Sequence, residues 1–387
     1  MLEGVNVALA VSGSIAAVKT VELAHELRRE GATVRAVLTG AATGIIHPWA
    51  VEFATENDVV TEITGRVEHV ELCGREGWAD VLLVAPATAN TVGKMAAAID
   101  DTPVTTTATT ALGADVPVVI APAMHEPMYD HPGVLASIER LDEWGVTFVD
   151  PRIEEGKAKI ATEADIVTET ARRATPDPLD GRTVVVTSGA TSERIDPIRV
   201  LTNRSSGKTG RAVARACHVA GAEVVLVHDG PGVGYAAVRR VESAAEMLDA
   251  VSTAVEEHNA DALVSAAAIS DYTVEASDEK IKSGEERTLE LSPTPKLIDS
   301  VRDAHPDLSI VGFKAETEGG EEALVDRARE TLDRAGLAFV VGNHAEVMGG
   351  EGTRVVLVRA DSTTEFEGSK SDLGRLVAEE LAGELAE

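Results

Sequence analysis

The sequence predicts two consecutive α/β domains, each a doubly wound parallel sheet, and three observations carry that prediction. Strand-like runs such as VNVALAV (5–11) and RTVVVT (182–187) are almost continuously apolar, the pattern of strands covered on both faces. Each run leads through a turn of small residues into apolar residues at helical spacing and then a second strand, so one construction starts twice. Between the two starts lies ATPDPLDG (174–181), whose prolines and glycine break helix and strand alike. The expected domains are residues 1–175 and 182–387.

The first domain opens with the strand at 5–11, the turn Ser12-Gly13-Ser14 and a helix through VELAHELRR, then continues with buried strands at Val81–Ala85 and Val116–Ala121. The second repeats the plan with the turn Ser188-Gly189-Ala190-Thr191, a long inserted loop and a helix starting near Gly207. Its further strands are Ala262–Ala266, Ile310–Gly312 and Ala338–Val341. In such sheets ligands bind beyond the carboxyl ends of the strands, where helix N-termini offer unpaired N–H groups to phosphates. Both turns are placed there. Neither is GxGxxG, and Gly207-Lys208-Thr209 does not complete a Walker A loop, because Thr202 stands where that motif needs its first glycine.

Composition narrows the function. The 387 residues are 44% hydrophobic, enough for two substantial cores, with no apolar run long enough to span a bilayer. Met1 leads almost directly into a strand, so no signal peptide is expected. Cys73 and Cys217 give neither a disulfide framework nor a metal-ligand spacing, which points to a reducing cytoplasm. The net charge of −30 is spread over both halves, −14 in residues 1–178 and −16 in 179–387. With 3% aromatic residues and only 10 lysines among 35 basic residues, the composition resembles that of proteins from salt-accumulating archaea, where counterions screen self-repulsion. It offers no basic stripe for nucleic acid. Scarce lysine makes the clusters EEGKAK (154–159), SSGKTG (205–210) and DEKIKSG (278–284) candidates for function.

In the first domain, APATANTVGKMAAAIDD (85–101) follows a buried strand with small and hydroxyl residues, TTTATTA (105–111) offers further hydroxyls, and APAMHEPMY (121–129) follows another buried strand. Together they describe a flat, polar-edged pocket suited to an aromatic cofactor with one phosphate. Three motifs, PATANT (86–91), PAMH (122–125) and HVELCGREGWAD (69–80), resemble those of the flavin-dependent cysteine decarboxylases of coenzyme A synthesis. The resemblance implies a flavodoxin-like flavoprotein domain that binds FMN through Ser12, Gly13, Ser14, Thr39, Ala87, Thr88, Thr106 and Met124. It implies His69 as the base beside the substrate, with Asn90 and His125 as substrate contacts. The chemistry implied is oxidation of a thiol-bearing carbon to a thioaldehyde, loss of carbon dioxide, and re-reduction of the ene-thiolate. Bacterial members carry a cysteine acid in a loop that reads RIEEGKAKIAT (152–162) here, so Lys157 or Lys159 is the expected proton donor, ahead of Cys73.

In the second domain, TSGATSERIDPIRVLTNRSSGKTG (187–210), AAAISDY (266–272), EKIK (279–282), VGFKAET (311–317) and VGN (341–343) resemble phosphopantothenate–cysteine ligases, which often follow the decarboxylase in one chain. That implies a Rossmann-like ligase domain that activates 4′-phosphopantothenate as an acyl-nucleotide for attack by cysteine, using Mg2+ with CTP or another nucleoside triphosphate. Asn203 matches the residue that handles the acyl-nucleotide. Ser205, Ser206, Gly207 and Lys208 would receive the substrate phosphate. Asp271, Lys280, Lys282, Lys296, Leu297, Ile298 and Phe313 match nucleotide positions, with Lys282 stabilising charge at the reacting phosphate. Two family lysines are replaced by Thr331 and Ala335, with Arg327, Arg329 and Arg334 nearby, and His344 replaces an aspartate. The whole chain thus resembles the bifunctional decarboxylase–ligase, expected to be a cytoplasmic homo-oligomer; a ligase with a silent flavin domain and a non-catalytic binding module are the alternatives.

Overall fold

The computed structural model describes residues 1–387 apart from 155–156, 285, 317–319, 345–351 and 387, and leaves out the side chains of Ile153, Glu154, Lys157, Glu316, Glu321 and His344. The chain divides into two units, Met1–Pro176 and Asp177–Glu387.

In the first unit the strands are β1 (Asn6–Val11), β2 (Thr33–Leu38), β3 (Val81–Ala87), β4 (Val118–Pro122), β5 (Met124–His125), β6 (Thr147–Phe148), β7 (Arg152–Glu154) and β8 (Lys157–Lys159). The main sheet has the order β2-β1-β3-β4-β6 and every pairing in it is parallel. β3 is buried at all seven positions, which is why VLLVAPA has no polar alternation. Each fully buried Val or Leu here contributes about 1.5–3 kcal/mol relative to exposure. The helix Thr20–Arg29 turns Leu23, Ala24 and Leu27 onto the sheet, with Glu22 in its first turn and Arg28 and Arg29 in its last, where the helix dipole favours them. Successive strands step in opposite directions from β1, so the gap between β1 and β3 is the switch point where such sheets bind ligands. Beyond β4 a small antiparallel sheet, β5-β8-β7, pairs Met124 with Ala158 and His125 with Lys157.

The second unit carries β9 (Thr183–Thr187), β10 (Ser192–Arg194), β11 (Val200–Thr202), β12 (Glu223–His228), β13 (Ala237–Arg240), β14 (Ala262–Ser265), β15 (Tyr272–Val274), β16 (Leu291–Pro293), β17 (Ser309–Glu316), β18 (Phe339–His344), β19 (Gly352–Val358) and β20 (Thr363–Ser369). Its main sheet has the order β13-β12-β9-β14-β17-β18-β19-β20. The switch point falls between β9 and β14. Helices Lys208–Val219 and Lys370–Ala386 cover one face of the sheet, and Ala244–His258, Leu297–Ala304 and Glu321–Ala335 cover the other. The edge departs from an all-parallel sheet, since β19 runs antiparallel to both neighbours. β20 is exposed or half-buried along its length, as an outermost strand with a wet face can be. Two hairpins, β10–β11 and β15–β16, stand apart from the sheet.

Candidate active sites

At the switch point of the first unit the loops are bonded to one another. Ser12 is buried, and its hydroxyl donates to the Pro86 carbonyl at 2.8 Å and accepts from the Thr88 N–H at 3.0 Å. The Ser14 hydroxyl donates to the Ala123 carbonyl at 3.2 Å, tying the same loop to the end of β4. Gly13 has no room for a side chain, because a Cβ would lie 2.4 Å from the Ala41 Cβ. Thr39 and Thr88 cap the helices that follow β2 and β3, accepting from the Ala42 and Thr91 N–H groups at 3.1 and 3.3 Å. Ser12, Gly13, Ser14, Thr39, Ala87, Thr88 and Met124 therefore all lie at or just past the carboxyl ends of neighbouring strands. Asn90, in the first turn of the helix Ala89–Ala96, and His125 are exposed.

Other predicted positions are placed differently. The run 105–111 is not an open lining of hydroxyls: it lies in the helix Pro103–Gly113. Thr105, Thr107 and Thr110 donate to the carbonyls of Thr102, Pro103 and Thr106, the usual fate of short hydroxyls on helices. The Thr106 hydroxyl likewise donates to the Asp100 carbonyl at 2.9 Å, and among the described residues no hydrogen bond joins it to the strand-end loops.

His69 sits on the short helix Glu68–Cys73, which packs against Pro103–Gly113. Its Nδ1 is buried and has no hydrogen-bond partner among the described residues. A buried polar atom left unpaired costs about 1–3 kcal/mol, so this atom is unusual in a structural role. Val67, which precedes the helix, has φ 53°, a left-handed conformation that is strained for a β-branched residue. Cys73 is fully buried and burial pushes its thiol up to about 12, so it stays protonated and is a poor nucleophile near neutral pH. Lys159 is half-buried on β8, while the side chain of Lys157 lies outside the described residues.

In the second unit Thr187 and Thr191 build the switch point. The Thr187 hydroxyl accepts from the Ala266 and Ala267 N–H groups, both at 3.1 Å, and that of Thr191 accepts from Ser270 N–H at 2.8 Å. The helix Lys208–Val219 starts at Gly207, whose φ of 66° suits glycine, and no side chain caps it. A Cβ on Gly207 would lie 2.9 Å from Ser188 Oγ and 3.0 Å from Gly189 N, so this helix start is pressed onto the turn after β9. Ser188 donates to the Gly207 carbonyl at 2.8 Å. Ser205 is half-buried, while Ser206 and Lys208 are exposed beside the uncapped helix start, the usual setting for a phosphate. Asn203 is exposed, and its Nδ2 donates to the Ala268 carbonyl at 3.1 Å.

Lys296 and Asp271 form an ion pair of 2.5 Å, with side chains 62% and 70% exposed. Such a pair contributes at most about 1 kcal/mol and yields easily to a competing anion. Lys280 and Lys282 are exposed within residues 275–290, the segment between β15 and β16, and no ion pair to either is present among the described residues. Leu297 is 4% exposed and belongs to the core, so only its backbone can serve a ligand. Ile298 packs with Leu297 on one face of the sheet and Phe313 on the other. Ala335 is also core, and Arg334 is paired with Asp299, so that arginine is already engaged. The side chain of His344 lies outside the described residues.

Sequence reading passed over Lys370. It opens the helix Lys370–Ala386, which lies so close to Lys208–Val219 that a Cβ on Gly374 would sit 2.5 Å from the Ala212 carbonyl oxygen. Burial, and then the charge of Lys208, push its pKa down. Its place among the ten lysines was the available signal. Among the described residues no cluster of three or more His, Cys, Asp or Glu side chains could hold a metal, and no helix is long and apolar enough to cross a membrane.

Comparison with known proteins agrees across the whole length. Residues 1–175 match the flavoprotein family, and residues 179–385 match the DNA/pantothenate metabolism flavoprotein C-terminal domain. The coenzyme A biosynthesis bifunctional protein CoaBC of Thermococcus kodakarensis is 50% identical over 388 residues, covering 99% of this chain and 94% of that protein. The proteins of the same name from Methanocaldococcus jannaschii and Bacillus subtilis are each 35% identical, covering 98% and 92% of this chain and 94% and 91% of their own lengths. The chain belongs to the family of coenzyme A biosynthesis bifunctional proteins.

Proposed function

We propose that this chain joins cysteine to 4′-phosphopantothenate in its second unit and decarboxylates the product to 4′-phosphopantetheine in its first. The observation that carries the reading is that each unit presents its own motif residues at the switch point of its own sheet. The residues of the first unit fit FMN. Gly13 lets the turn after β1 pack tightly against Ala41, hydroxyl-rich strand ends lie beside it, and the buried Nδ1 of His69 has no partner among the described residues. Ser12 shapes this site through Pro86 and Thr88, while Ser14, Thr39, Ala87, Thr88 and Met124 line it. Bound FMN supplies a two-electron acceptor and donor for the thiol-bearing carbon. His69 acts as the base, Asn90 and His125 hold the substrate, and Lys157 or Lys159 returns the last proton in place of the missing cysteine. Pairing of β8 with β5 supports the last assignment, since it sets the Lys157 backbone opposite His125.

In the second unit Ser205, Ser206, Gly207 and Lys208 receive the substrate phosphate at the uncapped helix start. Lys282 stabilises charge at the reacting phosphate and Asn203 holds the acyl-nucleotide for attack by the cysteine amine. Asp271, Lys280, Lys296, Phe313 and the backbone at Leu297 and Ile298 would bind CTP, with Mg2+ supplying charge neutralisation when bound. Ile15, Trp49 and Phe53, at 78%, 75% and 76% exposure, support assembly of like subunits.

Feeding phosphopantothenoylcysteine directly isolates the first unit. Carbon dioxide release should need no nucleotide, survive Lys282→Met, and fall about 10²–10⁴-fold in His69→Gln, the range for loss of a positioned base. The double variant Lys157→Met/Lys159→Met should be slowed as well. Full turnover in that double variant sinks the lysine assignment, and full turnover in His69→Gln sinks the histidine.

A further inference from the structure

The hairpin β10–β11 ends one residue before Asn203, and its turn, residues 195–199, reaches a different part of the same unit. Asp196 in that turn is 1% exposed. Its Oδ1 accepts from the Ile198 and Arg199 N–H groups, both at 2.8 Å, and its Oδ2 accepts from the Arg199 guanidinium. The same Oδ2 accepts from the Ile281 N–H at 3.2 Å, while Arg199 Nη1 donates to the Ile281 carbonyl at 3.1 Å. Both backbone polar groups of Ile281 are therefore held by one buried acid and its arginine. Ile281 is the residue between Lys280 and Lys282.

Two further bonds stitch the hairpin to the same stretch. Ser277 N–H donates to the Ile195 carbonyl at 2.9 Å, and buried Glu193 on β10 accepts from the Thr273 hydroxyl at 2.8 Å. With the Asn203 bond to Ala268, the hairpin follows residues 268–281 along their length. Residues 275–290 otherwise carry neither helix nor strand among the described residues, and a stretch that long without internal structure needs an external anchor to present a side chain repeatably.

We propose that Asp196, acting with Arg199, is a positioning residue of the ligase site. It docks Ile281 and so sets Lys282 in register with Asn203, and the hairpin makes a single rigid part of the two groups that act in succession on the acyl-nucleotide. Burial works against the charge on Asp196, yet the N–H groups of Ile198, Arg199 and Ile281 and the Arg199 side chain hold its carboxyl down at about 2, so the clamp stays charged at working pH. The inference rests on the reading that Lys282 serves the reacting phosphate.

A double-mutant cycle on the full chain tests it, reading pyrophosphate release with CTP, phosphopantothenate and magnesium. Asp196→Asn keeps an acceptor for Ile198 and Arg199 but loses the charge, and serves where Asp196→Ala fails to fold. Asp196→Asn should lower kcat about tenfold or more with the KM for CTP within about twofold, because a misplaced group costs rate more than binding. On the residual rate of Lys282→Met, the same substitution should change kcat less than about twofold. An Asp196→Asn enzyme with full kcat, or an equal loss in both backgrounds, overturns the inference and leaves Asp196 a structural staple. Full activity in Lys282→Met alone overturns the reading beneath it instead.

Discussion

In the first unit the site loops are fixed to one another. Ser12 reaches Pro86 and Thr88, Ser14 reaches Ala123, and Gly13 is pressed against Ala41. In the second unit the helix start at Gly207 is packed just as closely, but Lys280 and Lys282 ride on a segment without regular structure, held at Ile281 by Asp196 and Arg199. The two chemistries account for the difference. A flat cofactor that stays bound through many turnovers wants a finished cradle. On the proposed reading, the second site takes charged groups from a segment with no helix or strand of its own, so it needs an outside clamp to place them.

Filling the two glycines sharpens that comparison. Gly207→Ala should cost the second unit about 1–3 kcal/mol, since φ is 66° and the new Cβ would meet backbone at 3.0 Å, with acyl-nucleotide formation falling alongside. Gly13→Ala should instead lower retention of FMN, read from the flavin absorbance of the purified protein, and leave pyrophosphate release intact. If each substitution disturbs both activities equally, the two sites are not independent in the way described.

Acid gives a smaller and more selective effect. The Asp196 carboxyl is held below its ordinary value of 3.8, so the clamp stabilises the second unit above that value and loses its contribution as pH falls toward about 2. The difference in melting temperature between the wild-type chain and Asp196→Asn should therefore narrow as pH drops from about 4 to about 2. A difference that stays constant through that window would show that the charge on Asp196 does not matter to the fold.

Much of the architecture was legible in the residues. VLLVAPA is buried throughout and TVVVT at all but its first residue, as their nearly unbroken apolar runs lead one to expect, and the small-residue turns after them fall at the switch points. The antiparallel edge at β19 and β20 was not, because an outer strand carries weaker patterning than a central one. The sites were legible where a motif keeps its residues adjacent, as in PATANT or SSGKTG. They were hidden where a contact spans the chain. Ser12 and Pro86 are 74 residues apart, and Asp196 and Ile281 are 85 apart. TTTATTA shows its hydroxyls in the sequence but not their bonds to backbone carbonyls, which only the helix Pro103–Gly113 reveals. Lys370 belongs to no motif, and only the packing of two helices brings it near Lys208.

The central claim, that both halves work in this one chain, is tested most directly by mass spectrometry of a single reaction in concentrated potassium chloride. It would contain the purified protein with FMN, 4′-phosphopantothenate, cysteine, magnesium and CTP. The account predicts 4′-phosphopantetheine, with phosphopantothenoylcysteine rising and then falling before it. Phosphopantothenoylcysteine that accumulates without further conversion would contradict the account and leave a ligase with a silent flavin unit.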